Sequence, residues 1–170
     1  MTYLVLGTPD SGKSKIAEDL VMKLAENGPK YYVATMIPFG EEGEKRVKKH
    51  RTMREGKGFE TIECPVRVHE LLDSLPKDRS ATGLLECMSN LIGNEMHDPS
   101  NADKDDGKLV QYITEEVLRL AGIFKDLIIV SNSFPLEDKG YDEDTKRYVM
   151  LVHMVNENLR KRVDEVYEIT

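Results

Sequence analysis

Six short runs rich in apolar and β-branched residues, at positions 3–6, 31–35, 59–63, 83–87, 126–131 and 165–169, recur along the chain with helical patterns between them. Runs of this kind suit strands buried on both faces. Between them, Ala17, Leu20, Val21 and Leu24 share one helical face, as do Leu109, Ile113, Val117 and Leu120, and again Tyr148, Leu151, Val152, Val155 and Leu159. Strand and helix in alternation require right-handed crossovers, which give an α/β fold: a mainly parallel sheet with helices on both faces. The chain has 170 residues, enough for one sizeable core, and no repeat or linker divides it, so residues 1–170 are expected to form a single domain.

Directly after the first run and before the first helical face stands Gly7-Thr8-Pro9-Asp10-Ser11-Gly12-Lys13-Ser14, a full match to G-x-x-x-x-G-K-[ST]. Each residue type has a chemical use. Glycines let successive backbone N–H groups turn toward phosphate oxygens, and the helix N-terminus adds positive dipole. Lys13 would reach the β- and γ-phosphates, and the Ser14 hydroxyl can ligate Mg²⁺. The expected architecture is therefore that of P-loop nucleotide-binding proteins of the RecA-like type. Glu86 ends the apolar run Leu84-Leu85, which would put its carboxylate at the C-terminal edge of the sheet, beside the loop, as a second magnesium ligand. A strand-end acid facing water is the plainer alternative.

Charge narrows the partners. The formal net charge is −7, with 32% charged residues against a usual ~25%, which argues against nucleic acid or an acidic membrane as the main partner. Anionic ligands would need a local site. No apolar run approaches the ~18 residues of a membrane span, and the N-terminus lacks the basic start of a signal peptide, so a cytoplasmic protein is expected. Cys64 and Cys87 fit neither a disulfide framework nor a zinc site, and both are expected to be reduced and buried.

The stretch 97–107, rich in acids and turn formers, reads as a mobile surface loop. No calcium loop fits it: with Asp103 at position one, position five is Gly107 and position twelve Thr114. Residues 41–54 run from acids to bases, as a helix matching its macrodipole would. Most of these charges should simply solvate a face. Within it, His50 stands among Lys48, Lys49, Arg51 and Arg54, whose like charges disfavour the imidazolium and leave a neutral, nucleophilic imidazole. Spacing alone is equally consistent with an ordinary exposed histidine.

Several of these segments together resemble a known family. They are the loop at 7–14; Tyr32-Val33-Ala34-Thr35 followed by Glu42, Arg46, Val47 and His50-Arg51; Phe59, Thr61 and Glu63; Leu84-Leu85-Glu86-Cys87 with Asn94; Ser131-Asn132; and Val155-Asn156, Leu159 and Asp164-Glu165-Val166-Tyr167. Over nearly its whole length the chain resembles the bifunctional adenosylcobinamide kinase/adenosylcobinamide-phosphate guanylyltransferases of cobalamin biosynthesis. It departs from their pattern at Ser133-Phe134-Pro135 and at Val149, Met150 and His153.

The resemblance implies a P-loop enzyme that phosphorylates the corrinoid adenosylcobinamide with ATP or GTP and then joins GMP from GTP to that phosphate. It makes His50 the nucleophile, through a GMP-histidine phosphoramidate, with Lys13 as the second catalytic residue. Thr35, Arg51, Arg54 and Glu63 would help bind the guanine nucleotide, and Mg²⁺ would sit on Ser14 and Glu86. It also implies a homo-oligomer, a trimer. Two other functions use the same loop: a kinase of another small hydroxyl compound, which would leave His50 idle, and a regulatory protein that binds GTP without turnover.

Overall fold

A computed structural model describes residues 1–37, 40–75 and 80–169, with the side chains of His50 and Met53 outside that description. The elements, in chain order, are β1 (Thr2–Gly7), α1 (Lys13–Ala25), β2 (Lys30–Ala34), α2 (Gly40–Arg54), β3 (Phe59–Glu63), α3 (Leu71–Ser74), β4 (Thr82–Leu85), α4 (Met88–His97), α5 (Asp106–Ala121), β5 (Asp126–Asn132), α6 (Glu143–Arg162) and β6 (Glu165–Ile169). All six expected strands are present, and every pairing is parallel, in the order β3-β2-β4-β5-β1-β6.

Successive residues of the central strands feed two separate cores. Leu4, Leu6, Val33, Leu85, Leu127 and Ile129 point to one face, where Leu91, Ile113, Val117, Val152 and Val155 of α4, α5 and α6 cover them. Tyr3, Val5, Tyr32, Leu84, Ile128 and Val130 point to the other, where Ala17 and Val21 of α1 cover them. Period-two alternation in the strands thus meets helical periodicity on both sides, which is why the strands read as apolar runs.

Two expectations change. The stretch 97–107 is a built corner. Asp98 accepts hydrogen bonds from Ser100 N (2.9 Å), Ser100 Oγ (2.6 Å) and Arg67 Nη1 (3.2 Å). Asn101 is buried and donates through Nδ2 to Glu95 O (2.9 Å), and Asp105 caps α5 by accepting from Lys108 N (2.8 Å). The polar residues that suggest a loose loop are caps and turn acceptors with defined partners. The two cysteines are free, as expected, but half-buried.

Beside this corner, Glu116 of α5 and Glu95 of α4 are both buried. Burial first, and the neighbouring Glu95 second, push the Glu116 carboxyl well above the usual carboxylate range. Both Glu116 oxygens lack a hydrogen-bond partner among the described residues, as does His69 Nδ1, 3.9 Å from Glu116 Oε2. A folded state that keeps a proton which the unfolded chain releases near its ordinary value of about 4.5 loses stability as pH rises above that value. Glu116→Gln, which has no proton to lose, is expected to raise Tm by about 3 °C or more at about pH 8 and by clearly less at about pH 5. Equal shifts at the two pH values in a thermal melt would show that Glu116 is ionised in the fold.

Candidate active site

The loop between β1 and α1 takes its shape from three residues. Asp10 (φ 62°) and Gly12 (φ 84°) adopt left-handed backbone, which an aspartate tolerates and a glycine accepts without strain. At Gly7 an added Cβ would lie 2.5 Å from Ser11 Oγ and 3.4 Å from Ile169 O, so any side chain there would displace the Ser11 hydroxyl. α1 then begins at Lys13 with no side-chain cap, so its N–H groups open into the loop.

Lys13 is buried, and its Nζ donates to Thr8 O at 3.2 Å. Burial pushes its ammonium below the ordinary value, while nearby Cys87 and Asp10 oppose the shift. An incoming polyanion would give this desolvated cation a stronger partner than a peptide carbonyl.

Around Lys13 lies an open cleft of about 450 Å³, lined by Pro9, Asp10, Gly12, Ser14 and Glu86 among others. The same cleft gathers residues that sequence reasoning did not assign: Lys15, Arg46 and Lys49, and the amides of Asn90 and Asn132. Arg46 and Lys49 belong to the basic run, whose charges looked like mere solvation. Asn132 could not be placed before the strand order was known, since it reaches the cleft because β5 pairs with β1, Gly7 opposite Asn132. Asn132 Oδ1 and Ser11 Oγ are buried with no partner among the described residues, so polar capacity is left open at the loop and at the tip of β5.

Glu86 follows the last residue of β4, as its place after Leu84-Leu85 suggests. Its backbone N donates to Val33 O (3.0 Å), and its Oε2 accepts from Thr35 N (2.9 Å). Thr35 itself is fully buried and faces inward, its hydroxyl donating to Cys87 O (2.9 Å). Its place in the structure is behind Glu86, as a support.

A second, smaller pocket of about 120 Å³ adjoins the first and is lined by Arg51, Arg54, Thr61 and Glu63. Met36 and Glu86 line both, so they form the wall between them. Arg51 Nη2 donates to Glu63 Oε1 (3.2 Å), and the Arg54 guanidinium carbon lies 3.7 Å from the centre of the Tyr32 ring, a cation–π contact. Burial, with Glu86 next, raises the Tyr32 hydroxyl above its ordinary pKa, which keeps it neutral. α2 thus presents Arg46 and Lys49 to the first cleft and Val47, Arg51 and Arg54 to the second. Position 50 belongs to the same helix, three residues after Val47 and four after Arg46.

No helix among the described residues is long and apolar enough to cross a membrane. Comparison with known proteins agrees with this geometry. No curated protein matches the chain significantly. Among solved structures, the ATPase domain of G40P shares the fold, with a TM-score of 0.54 and 10% identity, covering 98% of this chain and 68% of that one. A KaiC-like protein, PH0186 of the hyperthermophilic archaeon Pyrococcus horikoshii OT3, has a TM-score of 0.45 and 12% identity, covering 90% of this chain and 67% of its own. The all-parallel sheet, the loop after β1 and the first of these likenesses together define a RecA-like α/β fold. The family model of cobinamide kinase / cobinamide phosphate guanyltransferase matches residues 3–170, nearly the whole chain, and the protein belongs to that family of bifunctional kinases and guanylyltransferases of cobalamin biosynthesis.

Proposed function

We propose that this chain phosphorylates adenosylcobinamide and then transfers GMP from GTP to the resulting phosphate through a GMP-histidine intermediate on His50. The observation that carries this is the shared wall: a phosphate-loop cleft and an arginine-glutamate pocket meet at Glu86, and the helix bearing position 50 lines both. A simple kinase needs only the first cleft.

In the transfer, an imidazole nitrogen of His50 attacks the α-phosphorus of GTP, the bond to the β-phosphate oxygen breaks, and pyrophosphate leaves. A phosphate oxygen of the corrinoid then attacks the same phosphorus, the phosphorus–nitrogen bond breaks, and the imidazole is restored. Splitting one exchange between two polyanions into two steps is what a covalent intermediate supplies. Lys13, Arg46 and Lys49 offset the charge that gathers on the transferring group. Arg51, Arg54 and Glu63 belong to the guanine-nucleotide pocket, with Glu63 able to accept from a purine's N–H groups.

The Ser14 hydroxyl and Glu86 carboxylate, hard oxygen donors on one cleft, fit a magnesium ion that also keeps water and nucleotide phosphates as ligands. When bound, such an ion would neutralise phosphate charge. ATP or GTP serves the kinase step in this scheme, and the family's trimer and a cytoplasmic location belong to the same proposal.

Two measurements test it. Lys13→Ala removes a charge-assisted contact with a net worth of about 1.5–3 kcal/mol, so GTP affinity by calorimetry should weaken roughly 10- to 150-fold. Unchanged affinity in the folded variant would refute the loop's role. GTP labelled at the α-phosphate should label the protein through an acid-labile, base-stable bond, and γ-labelled GTP should not. His50→Ala should abolish the label, keep GTP affinity within about threefold and leave phosphorylation of adenosylcobinamide intact, because a nucleophile adds little to ground-state binding. Undiminished labelling of that variant, or label mapped to another residue, would sink the assignment.

A further inference from the structure

We propose that Asn94 is a positioning residue for the catalytic carboxylate, acting through Thr35 on Glu86 without touching either cleft. Asn94 lies in α4, and its side-chain Nδ2 donates both hydrogens, to Thr35 O (2.8 Å) and to Pro65 O (2.9 Å). Those carbonyls belong to the chain just past the ends of β2 and β3, where the last strand-to-strand bond is Cys64 N to Ala34 O (2.9 Å). One amide therefore continues the sheet's hydrogen bonding after the ladder has stopped, tying two strand exits to a helix.

Thr35 is the point where this tie reaches the site. Its N–H donates to Glu86 Oε2, its hydroxyl to Cys87 O, and its carbonyl accepts from Asn94. All three partners lie on the segment that runs from β4 into α4. With the groups on both sides of its Cα held, Thr35 has no freedom to rotate, and its N–H stays aimed at the carboxylate. Met36, the next residue, then stands beside Glu86 in the wall common to the two clefts. Removing the Asn94 amide leaves two carbonyls without their donor and releases one of the three holds on Thr35. The loop at 7–14 is carried by β1 and α1, with which Asn94 and Thr35 share no hydrogen bond among the described residues.

The inference rests on the role given to Glu86, so the experiment separates the two. Nucleotide affinity without metal, the turnover number for adenosylcobinamide phosphorylation and the magnesium concentration at half-maximal rate are measured for Asn94→Ala, Asn94→Asp and Thr35→Val, and for Asn94→Ala combined with Glu86→Gln. Asn94→Ala should leave metal-free affinity within about threefold, lower turnover about tenfold or more and raise the magnesium requirement. Asn94→Asp, which turns a carboxylate toward two carbonyls, should do at least as much. In the Glu86→Gln background the same change should cost less than about twofold, since its route to the chemistry is gone.

Losses that multiply in the double variant, or an affinity that falls as far as turnover, would overturn the role of Asn94. Thr35→Val keeps the shape and deletes only the hydroxyl bond to Cys87, so it tests the same clamp if the Asn94 variants do not fold; full turnover with an unchanged magnesium curve there overturns the proposal. Full turnover of Glu86→Gln by itself would instead overturn the assignment of Glu86.

Discussion

Hydrogen bonding of β5 to β1 on one side and to β4 on the other sets the width of the cleft. Neighbouring strands lie about 4.8 Å apart, so the loop after β1 and the carboxylate after β4 are held roughly 9–10 Å apart, with Asn132 at the strand end between them. The spacing is hard to alter. Leu127 and Ile129 serve one core and Ile128 and Val130 the other, so a slip of β5 by one residue would exchange side chains between two differently shaped interiors. The geometry of the site is thus inherited from packing that has nothing to do with ligands.

Electrostatics works on a more local scale. An acidic protein holds Lys13, Lys15, Arg46 and Lys49 around one cleft. Two of them come from the start of α1 and two from α2, so the positive field is assembled from segments far apart in sequence. Keeping the Lys13 ammonium out of water costs free energy in the empty site, which a carbonyl contact and the nearby Cys87 and Asp10 offset in part. Binding a phosphate returns that cost, which makes the loop a preorganised receptor for anions.

What the sequence could reveal followed the range of the interactions. The loop at 7–14 was legible because its turn, its glycines and its helix start are local. The central strands β1, β4 and β5 were legible because they are buried on both faces, and the edge strands β3 and β6, which are largely exposed, because β-branched and aromatic residues mark them between helical patterns. Glu86 was legible because a carboxylate ending an apolar run has one place to be in a parallel sheet. Asn94 and Asn132 stood out only through the family resemblance and not by their contacts, because their partners are set by strand order, and Thr35 could not be recognised as a support from its neighbours. The stretch 97–107 looked loose because its caps and turn bonds do not show in composition, and because Arg67, which bonds Asp98, comes from elsewhere in the chain.

The way α2 is attached has a consequence for how the site responds to its medium. Among its described side chains only Arg54 is buried, and that one rests on an aromatic ring, while Arg51 reaches Glu63 through an exposed ion pair. None of its described apolar side chains is buried, in contrast to those that hold α4, α5 and α6 to the sheet. Attraction between exposed charges such as Arg51 and Glu63 is screened over about 8–10 Å at ordinary ionic strength. Dissolved salt therefore weakens the Arg51–Glu63 pair, so ionic strength acts on a contact that lines the smaller pocket.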